Sequence, residues 1–491
     1  MPDAGGGSMD GGSALRVVLD GVVDLPDLSA TWLAIATELL CFAAAHMPSS
    51  SSWDGLAPGE PEDTLIVVSA AAQAVLTVDP GPTLSHATRH DRETLRAVGL
   101  EQLDDAPFDA DMNEATVALG LADAIDSLVG HTFLPWFKDE GEVVVGEGTV
   151  YPVREHDPRR WLGDHPVNTQ PSHFPTRELL STARLRVATA DAAEFRYVLD
   201  FKSWDILSDL GAGVELVAAV GQPNGDLDEF KIELSQAPPL TYANHGPTGH
   251  ELHAQRVGQL IVGAAAADIL VLPEYGLASA SRDLVIASLP SMGAAPRLVI
   301  SGVSSGIDDD GYIVNDAVTV VTTPAGGVSR VINLPRKIFP AQVGGYKERI
   351  RQGCEVRVFL TESWTMATLI CFDSMNAEII AQLADFGVNL LVVAALSEKS
   401  AAIIGSATSL CHRSQAFVVI ATGPARWMST AMGIDAPAAL RSEAVFAGPY
   451  AATDGGQVAM SESEASVVDR PNLWTFNYTE RVLSSYDVHN S

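Results

Sequence analysis

The chain has 491 residues, of which 47% are hydrophobic and 19% are charged. This length exceeds that of an ordinary single domain, so we expect at least two domains, and the composition excludes a chain that is disordered throughout. The 62 acidic residues outnumber the 30 basic ones and give a formal net charge of −32. Such a polyanion repels nucleic acid and anionic lipid, which excludes both as general partners.

Cysteine is scarce, and the four residues present are Cys41, Cys354, Cys371 and Cys411. They are too few for a disulfide framework and are not spaced like paired zinc ligands, so we expect free thiols in a reducing, cytoplasmic compartment. The N-terminal sequence MPDAGGGSMDGGS lacks the basic start of a signal peptide. The apolar segment 32–47 carries Glu38 and is short for a membrane span, so it is predicted to be a buried helix.

The composition divides the chain into three parts. Residues 1–12 are rich in Gly, Ser and Asp and are predicted to form a flexible arm. Residues 13–227 contain several segments with helical spacing of apolar residues, which predicts a separate, mainly helical module. The turn-forming sequence GQPNGDLD at 221–228 then precedes a predicted α/β domain over 228–491, where helical segments alternate with hairpin-linked strands.

Three polar residues of this second domain each follow a predicted strand. Glu274 follows ILVLP, Lys337 follows RVINLPR, and Cys371 follows ATLI and precedes a predicted helix. Ligand crevices of α/β sheets form at such strand ends. A carboxylate can accept the proton of a thiol, while an ammonium can lower the pKa of that thiol and, with the N–H of Phe372, stabilise an oxyanion. Each residue alone also fits an ordinary buried or surface role, so only the set indicates covalent catalysis.

These motifs, LVLPEYG, NLPRKIFP and LICFDS, make the chain resemble the nitrilase superfamily of carbon–nitrogen hydrolases. The resemblance covers about residues 228–485 and does not cover the first 220. It implies an α-β-β-α sandwich and a Glu274, Lys337 and Cys371 triad. It also implies a second glutamate that orients the lysine and the substrate. Glu348 in GGYKERIRQG occupies that place, and the nearby alternatives are Glu355 and Glu362.

The activity implied by the resemblance is hydrolysis of a non-peptide amide bond through a thioester on Cys371. Glu274 would act as the base, and Lys337 with the N–H of Phe372 would hold the oxyanion. The residues after the cysteine, FDSMN, do not match the Cys-Trp-Glu form of true nitrilases, which favours a small-molecule amide over a nitrile. No metal or organic cofactor is implied, and a homo-oligomer is implied by the resemblance only.

Several alternatives stay open at the level of sequence. The same fold could transfer the acyl group to an amine or alcohol, or it could be a non-catalytic scaffold or sensor. Residues 13–227 contain no chemical motif and are either a partner-binding or gating module, or an extension that caps the catalytic domain. His250 and His253 lie three apart on a predicted helix, as a metal-binding pair can, but no third ligand is apparent, so an exposed helix face is predicted.

Overall fold

The computed structural model of the protein describes residues 13–26, 31–46, 60–76, 86–105, 110–130, 133–153, 184–188, 195–207, 210, 215–323, 328–343, 345–361, 364–397, 400–414, 416–427, 429, 443–448, 459–464, 471–477 and 482–485. The predicted arm at 1–12 and residues 154–183 lie outside the described residues. The chain forms two compact units. The first comprises Met1–Asn168 and Glu178–Asp191, and the second comprises Thr169–Arg177 and Ala192–Ser491.

The described part of the first unit contains helices and three short strands. These elements are α1 (Ala14–Val23), α2 (Thr31–His46), α3 (Glu60–Val75), α4 (Arg89–Asp105), α5 (Ala110–Val129), α6 (Phe133–Glu140), β1 (Glu142–Val145), β2 (Val150–Val153) and β3 (Arg184–Val187). Helix α2 buries most of its apolar residues and exposes Glu38, as predicted for a buried helix. It packs against α5, which also contacts α3. Gly120 permits that second contact, because a Cβ there would lie 2.6 Å from Val68 Cβ.

No single helix among the described residues has both the length and the apolar composition needed to cross a membrane. Two consecutive segments, Glu114–Val129 and Phe133–Glu140, reach that length and composition only when taken together, and the chain bends by 88° between them.

The described part of the second unit mixes strands and helices throughout. In chain order these are β4 (Arg196–Asp200), α7 (Trp204–Leu207), β5 (Glu215–Val220), β6 (Phe230–Ser235), β7 (Thr241–Pro247), α8 (His250–Gly263), β8 (Ile269–Val271), β9 (Leu277–Ala278), α9 (Ser279–Met292), β10 (Leu298–Ile307), β11 (Ile313–Thr322), β12 (Val328–Arg336), β13 (Gln342–Val343), β14 (Tyr346–Glu348), β15 (Glu355–Leu360), β16 (Thr365–Ile370), α10 (Ala377–Asp385), β17 (Leu390–Leu396), α11 (Ala401–Arg413), β18 (Phe417–Gly423), β19 (Glu443–Gly448), β20 (Ala459–Glu464), β21 (Asn472–Asn477) and β22 (Val482–Ser485).

Two sheets lie face to face in this unit. The first sheet has the strand order β12-β11-β10-β8-β5-β21-β22, and the second contains β4-β15-β16-β17-β18-β19-β20 in that order. Strands β5 and β8 contact β18, and β10 contacts β17. Helices α8 and α9 cover the first sheet, and α11 lies on β18 and β19 of the second sheet beside α10. The unit is therefore a mixed α/β structure, as the sequence pattern predicts, with the layer order α-β-β-α that the resemblance implies.

The middle of each sheet is parallel, and the central strand of the second sheet, β17, is apolar along its whole length. Strand β17 (LLVVAAL) pairs in parallel with β16 and β18, and all but its last residue are buried. Such continuous apolar runs are typical of strands that are covered on both faces. On the outer face of the first sheet, Leu260 and Leu289 from the two helices pack with Leu270 and Val299 from the strands.

The division into units differs from the predicted boundary at residues 227 and 228. Strand β5 pairs in parallel with β8, and β4 pairs in parallel with β15, so residues 196–200 and 215–220 belong to the sheets of the second unit. The segment that follows β5 is also buried. Gly221 donates its N–H to Val271 O over 3.0 Å, and Gln222 Nε2 donates to Thr422 O over 2.7 Å. The turn chemistry at 221–228 therefore marks the end of a core strand.

Candidate active site

The three residues singled out by the motifs meet where strands of both sheets end. Glu274 lies three residues after β8, Lys337 directly after β12, and Cys371 directly after β16 of the second sheet. Lys337 Nζ donates to Glu274 Oε1 over 2.7 Å. Leu396 connects this pair to the thiol, because its N–H donates to Glu274 Oε2 over 3.0 Å and its carbonyl accepts from Cys371 Sγ over 3.8 Å.

A second glutamate completes the environment of the lysine. Lys337 Nζ donates to Glu348 Oε2 over 2.7 Å, and Ala341 donates its N–H to the same oxygen over 2.8 Å. The other oxygen of Glu348 accepts from the Tyr275 hydroxyl over 2.7 Å. The structure thus brings Glu348 to the lysine, whereas Glu355 pairs with Arg357, and Glu362 lies outside the described residues.

The cluster is almost completely buried, and its charges shift one another. Lys337 is 0% exposed and Glu274 is 1% exposed. Burial disfavours the charged form of Lys337, but attraction to Glu274 and Glu348 outweighs it and holds the pKa of the lysine well above its ordinary value. Burial, with a further contribution from Glu348, raises the pKa of Glu274 against the opposing effect of Lys337. Two carboxylates and one ammonium leave the ionised cluster with a formal charge of −1.

This charge balance acts on the Cys371 thiol. Burial and the negative charge of Glu274 raise the pKa of the Cys371 thiol well above its ordinary value, and Lys337 opposes the rise only in part. The sequence suggests the reverse, a thiol pKa lowered by a nearby ammonium. The difference arises because the thiol is buried and because Lys337 is paired with two carboxylates, Glu274 and Glu348. The resting thiol is therefore protonated, and any reaction of its sulfur as a nucleophile would require a base.

Strained backbone occurs at the same place. Among the described residues other than glycine, Tyr275 and Cys371 have positive φ values, 56° and 47°. Such conformations cost about 1–3 kcal/mol each and persist where surrounding contacts enforce them. The Ser374 hydroxyl donates to Cys371 O over 2.7 Å. Gly302 lets β10 approach the other strained turn, because a Cβ there would lie 2.6 Å from Glu274 Cα.

Two polar side chains that support the site, Asn315 and Asp373, were given no role from the sequence. Asn315 Nδ2 donates to Glu274 Oε1 over 2.8 Å, and the available signal was a polar residue within the apolar strand IVNDAVTVVT. Asp373 Oδ1 accepts from the N–H groups of Ile338 and Phe339 over 3.1 and 2.8 Å. Asp373 thereby joins the turn after the cysteine to the segment after the lysine. Burial raises the pKa of its carboxyl to about 7.

Phe372, His250 and His253 are the remaining residues that the sequence singles out. Phe372 follows the cysteine in a short 3-10 turn, Cys371–Met375, and its side chain is 41% exposed. The role of its N–H as an oxyanion donor stays a prediction.

His250 is exposed, but His253 is buried on the packed side of α8, so the pair does not form one exposed face. Across the described residues, no group of three or more His, Cys, Asp or Glu could hold a metal ion.

Comparisons with known proteins give the following relationships. No family model matches the chain, and no curated protein matches it. Among solved structures, the chain is similar to a glutamine-dependent NAD+ synthetase from Acinetobacter baumannii, with 14% identity, a TM-score of 0.37, and coverage of 56% of this chain and 48% of that one. The match thus spans about half the length of that synthetase.

Two smaller proteins match over most of their length. One is a mutant of a Nesterenkonia amidase from the nitrilase superfamily, with 13% identity, a TM-score of 0.35, and coverage of 53% of this chain and 89% of that one. The other is a carbon–nitrogen hydrolase from Helicobacter pylori, with 13% identity, a TM-score of 0.34, and coverage of 51% and 90%. All three TM-scores lie below 0.5.

Proposed function

We propose that the second unit is a carbon–nitrogen hydrolase domain of the nitrilase superfamily, which cleaves a small non-peptide amide through a thioester on Cys371. The observation that carries this proposal is the position of Leu396, whose N–H binds Glu274 and whose carbonyl binds the Cys371 thiol. Through this one residue a buried carboxylate and a buried thiol from different sheets lie close together. Structural packing alone does not need such an arrangement, whereas proton transfer from thiol to carboxylate does.

In the proposed reaction, Glu274 accepts the thiol proton as Cys371 Sγ bonds to the substrate carbonyl carbon. Lys337 and the N–H of Phe372 stabilise the negative charge that develops on the carbonyl oxygen. The tetrahedral intermediate collapses, the C–N bond breaks, and Glu274 returns the proton to the leaving ammonia or amine. Glu274 then takes a proton from water, which attacks the thioester, and returns that proton to Cys371 Sγ as the C–S bond breaks and the acid leaves.

The raised pKa of Glu274 suits both halves of this cycle. A general base works best when its pKa lies near the working pH, because it must accept a proton and later release it. The raised pKa of Cys371 fits the same scheme, since the thiolate forms only as it attacks. Glu348 and Asn315 act as positioning residues that hold Lys337 and Glu274, respectively.

Release of ammonia from small aliphatic amides by the full-length chain is the direct test. Cys371→Ala and Glu274→Gln should each lower turnover by at least about a hundredfold, and the double variant should be little worse than either one. Cys354→Ala, which removes an exposed thiol, is the matched control and should retain full activity. Mass spectrometry of the wild type during turnover should show the acyl group on Cys371.

Full activity of a folded Cys371→Ala variant would contradict the proposed mechanism. If the folded wild type hydrolyses no amide, the scaffold alternative is favoured. Acyl transfer shares the first half of the cycle, so hydroxylamine is added to separate the two chemistries. A transferase gives hydroxamate when hydroxylamine is present and little acid when it is absent. A hydrolase gives acid when water is the only acceptor.

A further inference from the structure

A small sheet lies beside the site and brings one more side chain to it. This sheet has the strand order β13-β14-β7-β6 and is separate from the two large sheets. Strand β7 pairs in parallel with β14, and Tyr242 lies opposite Glu348 in that register. Arg349, the next residue of the chain, donates its N–H to Tyr242 O over 2.8 Å. Side chains of directly paired residues project from the same face of a sheet, so Tyr242 and Glu348 share a face.

The hairpin that carries Tyr242 packs against the site. Phe230 and Ala243 of the β6–β7 hairpin form an apolar cluster with Tyr275, and Leu396 packs against the cluster. Tyr275 is the residue that binds Glu348, and Leu396 is the residue that binds both the thiol and Glu274. The hairpin therefore contacts the residues that position the reacting groups, and Tyr242 is carried by a packed element.

The Tyr242 hydroxyl differs from those of the other tyrosines around it. Tyr275 donates to Glu348 over 2.7 Å, and Tyr346 donates to Gln236 Oε1 over 3.0 Å. The Tyr242 hydroxyl has no hydrogen-bond partner within the described part of the chain, and its side chain is half-buried. Burial, followed by the negative charge of Glu348, raises the pKa of Tyr242 well above its ordinary value. The group is therefore a neutral O–H donor over the whole physiological pH range.

We propose that Tyr242 donates a hydrogen bond to a neutral oxygen on the non-reacting part of the amide substrate. This inference rests on the proposed function and narrows its substrate class to amides that carry an ether, hydroxyl or second carbonyl oxygen. The contact is assigned to the non-reacting part because Glu274, Lys337 and Cys371 serve the scissile bond. A neutral acceptor is preferred to a carboxylate because the ionised cluster already carries a formal charge of −1.

Saturable alkylation of Cys371 tests the contact without requiring turnover. The two probes are N-(2-methoxyethyl)iodoacetamide and N-butyliodoacetamide, which differ by one oxygen in place of a methylene. In Tyr242→Phe the half-saturation concentration for the ether probe should rise about three- to tenfold, the range expected for one lost hydrogen bond, while that for the butyl probe stays unchanged. Tyr346→Phe, on the adjacent strand, should change neither value.

Turnover of methoxyacetamide and butanamide gives the second measurement. Tyr242→Phe should raise KM about three- to tenfold for methoxyacetamide only, with kcat changed by less than about twofold, because the contact is equal in ground and transition states. The inference is overturned if KM rises equally for both amides or if only kcat falls. It is also overturned if the half-saturation concentration for the ether probe is unchanged. Tyr242→Phe could raise the half-saturation concentration of the ether probe alone in a protein whose wild type hydrolyses no amide. That result would support the contact and refute the proposed function.

Discussion

Replacing Glu348 by glutamine isolates the contribution of its charge to the site. The amide oxygen can take the place of Oε2 and keep the bonds from Lys337 Nζ and the N–H of Ala341. The amide NH2 then faces the Tyr275 hydroxyl, which can accept instead of donate. Shape and hydrogen bonding are conserved, and one negative charge is removed from a buried cluster.

The size of the effect follows from the geometry. Glu274 and Glu348 each lie 2.7 Å from Lys337 Nζ, so their bonded oxygens are at most twice that distance apart. Two charges about 5.4 Å apart interact by about 3 kcal/mol at an effective dielectric constant near 20, equivalent to roughly two pKa units. Closer pairing of Lys337 with Glu274 in the variant lowers the pKa of Glu274 in the same direction. We therefore expect the pKa of Glu274 to fall by about one to two units.

The assay is the pH dependence of kcat/KM for an amide that the wild type hydrolyses. The rate rises as Glu274 ionises, so a lower pKa of this carboxyl moves the acid limb of the profile to lower pH. Glu348→Gln should shift that limb down by about one to two pH units and reduce the plateau, because a weaker base remains. Glu233→Gln, an exposed carboxylate on β6, is the control and should shift nothing. An acid limb that is unchanged or moves upward in a folded Glu348→Gln protein would refute this account of the cluster.

Two further predictions concern the support of the site. Gly302→Ala places a Cβ 2.6 Å from Glu274 Cα and should lower kcat at least about tenfold. Gly405→Ala on α11 is the control, because the added Cβ meets open space there and kcat should not change. An unchanged kcat in Gly302→Ala would show that the close approach is unimportant. The buried Asp373 carboxyl, with its pKa of about 7, should make wild-type stability fall as pH rises from about 4 to 7, and Asp373→Asn should flatten that slope in urea unfolding; a steeper slope would contradict it.

The sequence by itself determines where the reacting groups lie along the chain and which elements carry them. Apolar runs predict the strands β8, β12 and β16, and one polar residue follows each: Glu274, Lys337 and Cys371. Because ligand sites of α/β sheets form at strand ends, this pattern is sufficient to propose a shared site. The pattern of residues likewise predicts the helix α2 and a helix after Cys371, which is α10. These predictions succeed because they depend on periodicity, which is a local property.

Only the tertiary structure decides the features that depend on pairing between distant segments. Strand β5 belongs to the second unit because it pairs with β8, although the turn that follows it resembles a domain boundary. Tyr242 lies beside Glu348 only through the register of β7 with β14. The raised pKa of the Cys371 thiol arises because burial and two carboxylates act on it together. Strand register, burial and electrostatic environment are set by which segments pack together in space, and local spacing along the chain carries no information about them.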